Sequence, residues 1–509
     1  MVDLRLSRRG LFGLTLGTAA AMAVGCRSAT EVAGGGTGGS GITLAYSAAP
    51  DPTKLMRRTI DSPVFSNLVF DRLVDLDKKT MEPVPWLARE WEYDQARTTL
   101  VLKLRDDALF HSGKKLTAED VVFSLKKAQD PKAGAQVAPM LNRIEEIRAS
   151  APGEVTLKLK AVTSNLFDAL MFSPVVEAAS YDQGKVIGTG PYTWGAFSAG
   201  NKLDLARFDG YWDGAPSIEA ITIRAIKSPQ AQLSALQSGQ VQMVGGIPAR
   251  DVKTAAAGGR YTVSVTTPSY QQTYLGVDVK TKPFDDPKVR QALQYAVDRK
   301  RIADQVYGGY AEVSSLPWPA TTPGVTPDQV TRYAHDPDKA KALLKEAGAT
   351  GAEITVWAAQ TPIFSSVLDI VQYDLTQAGF KVTPKLLDAT EFQTLVVQSK
   401  LPGLNIANIG LVSVSPLTGI STANPARPGD NTSRLDDEKY VKLQERAFAA
   451  GTPEQLAEAN HDLSEYLLEQ SFHITLAQAH EVVMWDPSIQ GHDTSFLGYL
   501  DLADARRGK

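Results

Sequence analysis

Cysteine is nearly absent: the chain has one, Cys26, in 509 residues. No disulfide within the chain can therefore brace it, and its stability must come from buried area, for which 43% hydrophobic residues is ample. A basic excess is also missing. Without its first 25 residues, which hold three basic side chains and one acidic, the chain has 50 Lys+Arg against 56 Asp+Glu, a net of about −6. That balance argues against a nucleic-acid surface, which needs clustered positive charge. Beyond residue 26 no apolar run approaches the ~20 residues a spanning helix requires. Nothing resembles a phosphate-binding loop, so neither nucleotide binding nor hydrolysis is expected. The six histidines (His111, His335, His461, His473, His480, His492) show no metal-ligand spacing, and His480-Glu481 opens an H-E-x-x-H pattern that fails at Met484. No metal and no cofactor are expected.

What is present begins with an address. Arg5-Leu6-Ser7-Arg8-Arg9 precedes an apolar stretch from Leu11 to Val24, and Val24-Gly25 leads into Cys26. Paired arginines before a modest apolar core form the pattern of a twin-arginine export signal, read on Arg8 and Arg9. Gly25-Cys26 closing that core resembles a bacterial lipobox, whose cysteine receives a lipid and becomes the mature N-terminus. The competing reading is an apolar N-terminal helix that packs or anchors, but the run is short and loaded with Gly, Ala and Thr. Residues 27–41 are rich in glycine and read as a flexible spacer. Gly34, Gly36 and Gly39 fit G-x-G-x-x-G, yet the strand that fingerprint requires before it is absent.

The remainder, about 480 residues, exceeds one ordinary core and mixes strand and helix patterns, which predicts an α/β protein of two or three domains. Leu100, Leu102 and Leu104 alternate with other side chains, as do Val155, Leu157 and Leu159, and Ile221 and Ile223. Thr117 and Asp120 form a capping box before a helical face at Val121, Leu125 and Ala128 that Pro131 stops. Asp286-Pro287 starts a helix with Val289, Ala292, Leu293, Ala296 and Val297 on one face and Gly308 just beyond its end. Asp336-Pro337 starts another, closed by Gly348. Ser124-Leu125-Lys126-Lys127 fits S-x-x-K, but the companion S-D-N and K-T-G elements of that enzyme class are missing.

A series of motifs now carries a resemblance. Leu68-Val69-Phe70-Asp71-Arg72-Leu73-Val74, Pro85-Trp86-Leu87-Ala88, Phe110-His111-Ser112-Gly113 and Leu116-Thr117-Ala118-Glu119-Asp120-Val121 come first. Gly188-Thr189-Gly190-Pro191-Tyr192, Tyr211-Trp212-Asp213-Gly214-Ala215-Pro216, Pro283-Phe284-Asp285-Asp286-Pro287 and Ala296-Val297-Asp298-Arg299 follow in order. Together they resemble the large extracytoplasmic solute-binding proteins of ABC importers, the peptide and nickel group, over about residues 42–490. Each motif has a structural reading, as turn, packed corner or core face, and that reading is preferred.

The resemblance implies a two-lobed periplasmic-binding-protein-like fold with an inserted subdomain and a hinge between the lobes. Lobe I then maps to 42–61, 187–270 and 479–509, the insertion to 62–186 and lobe II to 271–478, after a signal at 1–26 and a linker at 27–41. It also implies a monomeric, non-enzymatic receptor, tethered to the outer face of the cytoplasmic membrane through Cys26, which closes on an oligopeptide or peptide-like ligand and serves a permease and its ATPase; the alternative is a sensor or surface protein that uses the same fold without an importer. Candidate contacts are Tyr46, Ser47, Tyr270, Gln271, Trp357, Gln360, Ser413 and Ser415. One departure stands out. Peptide-binding relatives place an acidic residue for the ligand's α-amino group in a stretch that matches Asn408 to Leu417, and this chain has no carboxylate there. Serines suit a neutral polar ligand, such as an oligosaccharide, a blocked peptide or a siderophore, or are ordinary loop residues. Asp436-Asp437 is a second source of charge, already explained as a helix start.

Overall fold

The structure, a computed structural model, describes residues 41–47, 62–77, 80–267, 271–410, 414–422, 426–427, 431–495 and 499–508. Arg8, Arg9, Cys26, Tyr270 and Ser413 lie outside them. Three substantial sheets organise the rest. The first has seven strands in the order Thr262–Val265, Val482–Trp485, Met243–Val244, Ile42–Tyr46, Ala220–Ala225, Lys202–Arg207, Tyr192–Ser198. Ile42–Tyr46 runs parallel to the strands on either side of it. Ile221 and Ile223 are buried and alternate with more exposed neighbours, as period two requires.

The second sheet has six strands in the order Ala311–Glu312, His473–Ala479, Gln271–Val277, Leu404–Gly410, Glu353–Ala359, Lys381–Leu387. Glu353–Ala359, helix Pro362–Ala378 and the parallel strand Lys381–Leu387 form a βαβ unit. The third sheet is antiparallel, in the order Ala88–Tyr93, Thr99–Leu104, Glu154–Leu159, Ile144–Ala151. Helix Ala118–Gln129 contributes Val121, Leu125 and Ala128 to its core. That helix starts at the Thr117–Asp120 capping box and ends just before Pro131. The helix opened by Asp286-Pro287 stops sooner than its apolar spacing suggests. It ends at Ala296, because Asp298 caps a separate helix, Arg299–Gln305, and accepts a hydrogen bond from the Arg301 amide at 2.9 Å.

The first and second sheets share a two-stranded ribbon. Thr262–Val265 pairs with Val482–Trp485 in the first sheet, and Gln271–Val277 pairs with His473–Ala479 in the second. Between the two pairings the Thr266 amide donates to the Glu481 carbonyl at 2.9 Å.

The motif series converges on one buried carboxylate. Asp71 is 2% exposed and accepts hydrogen bonds from the Trp86 indole at 2.7 Å, the Trp212 indole at 3.0 Å and the Tyr211 hydroxyl at 3.3 Å. Burial pushes its carboxyl above the usual range, and the indole donors oppose that shift. Trp86 meets Trp212 edge-on at 5.3 Å, and the Arg105 guanidinium lies 3.3 Å from the Trp212 ring centre. Gly188 and Gly190 cross the backbone of the same segment. A Cβ on Gly188 would stand 2.0 Å from the Val69 carbonyl oxygen, and one on Gly190 would stand 2.7 Å from the Val69 carbonyl carbon. His111 closes the corner, with Nε2 3.0 Å from the Gly190 carbonyl oxygen, and burial lowers its pKa to about 4.

This corner predicts the effect of two substitutions. Gly188→Ala should cost more than about 3 kcal/mol, because backbone must move to admit the methyl group. Gly113→Ala places its Cβ in open space at φ +85°, so it should cost only about 1–2 kcal/mol of backbone strain. Urea denaturation midpoints of the two variants check the difference.

Candidate ligand-binding cleft

The C-terminal ends of parallel strands are where α/β sheets place their ligands, because the loops there leave a crevice. In the first sheet, Ile42–Tyr46 and Met243–Val244 end side by side. The Tyr46 ring lies over Gly245, where an added Cβ would come within 2.7 Å of the ring. Next to it Gly246 takes φ +69°, with the Ser47 hydroxyl 3.5 Å from where its Cβ would be. The Gly246 amide donates to the Glu481 carboxylate, which sits on the crossover between His473–Ala479 and Val482–Trp485. Burial pushes the Glu481 carboxyl up to about 7, against the lowering effect of that single amide.

At the facing edge of the second sheet, Gln271 pairs with both Gly410 and Ala479. Gln360 directly follows Glu353–Ala359, and its amide donates to the Leu387 carbonyl at 2.7 Å. The fold thus gathers Tyr46 and Ser47 near the crossovers and sets Gln271 and Gln360 on one sheet edge. It does not bring Trp357 there. Trp357 lies inside its strand, not after it, and its indole donates to the Pro402 carbonyl at 3.0 Å. Asp437 caps helix Glu438–Phe448 and accepts from the Tyr466 hydroxyl at 2.6 Å, so it remains a capping residue.

Ser415 has a partner the sequence did not suggest. Its hydroxyl donates at 2.8 Å to Asp168, on helix Leu166–Phe172 beside the four-stranded sheet, and Thr418 donates to the same oxygen. Asn165 donates to the Thr418 hydroxyl at 3.1 Å, and Ser164 donates to the Ala447 carbonyl at 2.8 Å. Val414 enters the core of the four-stranded sheet. The stretch from Asn408 to Leu417 thus meets a buried carboxylate in space, Asp168, which the Ser415 hydroxyl and the neighbouring Thr418 hydroxyl engage. The sequence carries no local signal for this, since Asp168 and Ser415 are 247 positions apart. Glu481 did carry one: a single acid between two apolar strands.

Other chemistry-bearing side chains have structural roles. The Ser124 hydroxyl donates to the Asp120 carbonyl at 2.7 Å and accepts from the Val176 amide at 3.0 Å, so S-x-x-K marks a packed helix. His473 stacks on Tyr274 and has Nε2 2.9 Å from the Gln272 side-chain oxygen. Among the described residues no three histidines, cysteines or carboxylates gather as a metal would need, and no helix is long and apolar enough to cross a membrane.

With this geometry in view, comparison with known proteins places the fold in a family. The model of the bacterial extracellular solute-binding proteins, family 5, matches residues 82–428. The chain belongs to that family. The glutathione-binding protein GsiB of Pectobacterium atrosepticum is 31% identical over 61% of this chain and 62% of its own length. The GsiB protein of an Escherichia coli strain is 30% identical over 75% of this chain and 74% of its own. The first of these matches thus spans less than two thirds of its relative. Among solved structures, the periplasmic binding protein DppA of Helicobacter pylori in complex with the peptide STSA superposes with a TM-score of 0.79 at 19% identity, over 92% of this chain and 98% of that one. NikA of Brucella suis in complex with Fe(III)-EDTA gives 0.81 at 19% identity, over 92% and 99%. These likenesses establish the two-lobed family fold.

The Asp168 contact has a pH signature. Burial raises its carboxyl from 3.8 to about 6, with Thr418 and Ser415 pulling the other way. A raised folded-state value means that this group's stabilisation is full below about pH 4 and is lost as pH rises through about 6. Between those limits wild type should lose about 3 kcal/mol more stability than Asp168→Asn. Denaturant midpoints of both proteins at pH 4, 5, 6 and 7.5 test this, and parallel profiles would refute it.

Proposed function

We propose that the chain is an extracytoplasmic solute receptor that holds an oligopeptide or peptide-like ligand between two lobes and delivers it to an ABC permease driven by a partner ATPase. The observation that carries this is the family match joined to the geometry: two sheets linked by a pair of crossovers, with polar side chains gathered at the crossing. A ligand touching both lobes stabilises the closed arrangement by its differential affinity, and no covalent step is needed. Lobe I would comprise 42–61, 187–270 and 479–509, the inserted subdomain 62–186 and lobe II 271–478. Supporting this division, the seven-stranded sheet takes its strands from the first group and the six-stranded sheet from the last. The cleft side chains would be Tyr46, Ser47, Tyr270, Gln271, Gln360 and Ser413, with Trp357 and Ser415 supporting the walls.

Export through Arg8-Arg9 and lipidation at Cys26 belong to the same reading, since no helix among the described residues is long and apolar enough to span a membrane and a monomeric receptor of that kind needs a tether near its permease. The absence of a carboxylate between Asn408 and Leu417 favours a second ligand class, a neutral polar molecule such as an oligosaccharide or siderophore.

Native mass spectrometry of protein purified from its own host decides between the two ligand classes. Short peptides should dominate the bound material, whereas a sugar or siderophore would overturn the peptide reading. Turnover of a peptide or lactam that survived repurification would overturn the receptor reading. Cys26→Ala should release the protein from membranes, and Arg8→Lys with Arg9→Lys should block its export. Fractionation of cells expressing each variant reads both.

A further inference from the structure

We propose that Glu481 is a recognition point for a cationic group of the ligand, a primary ammonium or a guanidinium, on the first-lobe side of the crossovers. The inference rests on the receptor reading above and names what one end of its ligand must carry.

Placement is the first argument. Glu481 is anchored through its main chain, where its carbonyl accepts the Thr266 amide, so the side chain stays at the crossing. Its carboxylate meets the Gly246 amide at the ends of two adjacent strands, beside Ser47 and near the Tyr46 ring. Two glycines permit this: Gly246 takes the left-handed backbone that presents its amide to Glu481, and Gly245 has no Cβ to obstruct the Tyr46 ring.

Charge is the second argument. No ion pair to Glu481 exists among the described residues. His480, its neighbour, points elsewhere: Nδ1 is 2.7 Å from the Thr266 carbonyl oxygen and Nε2 is 3.6 Å from Glu312. On the helix that follows Gly246, Arg250 lies 3.7 Å from Asp251 and packs on Gly308, while Lys253 lies beside Gly309. Glu481 is only partly exposed, so its carboxylate, with one amide donor, loses much of its hydration yet stays within reach of a ligand, and an incoming cation offsets that cost. A merely structural acid at this position would be expected to have a fixed counter-charge or more donors, as Asp71 does.

The test uses the purified protein and three probes: trialanine, N-acetyl-trialanine and glutathione, each titrated by calorimetry at pH 7 in two buffers of different ionisation enthalpy. Wild type should bind a free-amine probe about 10- to 100-fold more tightly than the acetylated one. Glu481→Gln should abolish that preference without weakening the acetylated probe. Because the Glu481 carboxyl titrates near 7, wild type should release up to about half a proton more than the variant on binding the amine. The corresponding difference between amine and acetylated probes on wild type alone serves if the variant folds poorly. Equal free-amine affinity in wild type and Glu481→Gln, or a wild-type preference for the acetylated probe, overturns the proposal and leaves the receptor reading standing. If no probe binds and no peptide co-purifies, the peptide reading itself falls, and this proposal with it.

Discussion

Two sheets joined by one antiparallel ribbon impose the constraint on which the rest of this molecule depends. Thr262–Val265 and Gln271–Val277 form one side, His473–Ala479 and Val482–Trp485 the other, and each side serves first one sheet and then the other. Strand pairing fixes the register at both ends, because a one-residue slip would turn each buried face outward. On the side of Val482–Trp485 only His480 and Glu481 separate the two pairings. Both sheets therefore end against the same short segment, on which Glu481 is held by strand pairing on either side.

Much of this was legible in the sequence because the signals are local. The capping box at Thr117, the Asp-Pro helix starts and the alternating leucines of Thr99–Leu104 each depend on neighbours within a few residues, and the structure reproduces them. The motif series was legible as a pattern but not as geometry. Nothing in Asp71, Trp86 and Trp212 taken separately says that two indoles meet one carboxylate across 141 positions. The site was least legible. Trp357 reads as a strand-end aromatic, but the boundary of Glu353–Ala359 falls two residues later and Pro402 captures the indole. Asp168 was invisible because its partners lie 247 and 250 positions further along the chain.

Three carboxylates, two buried and one partly exposed, show how the number and kind of donors assign a role. Asp71 receives two indoles and a hydroxyl from rigid aromatic side chains, and so serves as a fixed joint. Asp168 receives two hydroxyls across a seam between separate parts of the chain, which makes it a contact whose strength follows its protonation. Glu481 receives one amide. Along this series the protein donors fall from three to two to one, which leaves Glu481 the most dependent on solvent or on an incoming group. A group with large unmet demand is where a ligand gains most free energy on binding, because the same desolvation is already incurred in its absence.

The same logic links the seam to the ligand. Helix Leu166–Phe172 and its preceding loop touch the segment holding Ser415 and Thr418 through Asp168 and Asn165, and touch Ala447 through Ser164; on the proposed division this seam adds some attraction between the second lobe and the inserted subdomain. That attraction must stay modest if closure is to depend on the ligand, because a seam strong enough to hold alone would close the receptor empty. An aspartate whose carboxyl titrates near 6 suits this requirement. At neutral pH it is largely ionised, and its desolvation cost subtracts from the hydrogen bonds it accepts. On the proposed mechanism the seam would guide closure and leave the larger part of the free energy to a ligand bound beside Glu481, Tyr46 and Ser47.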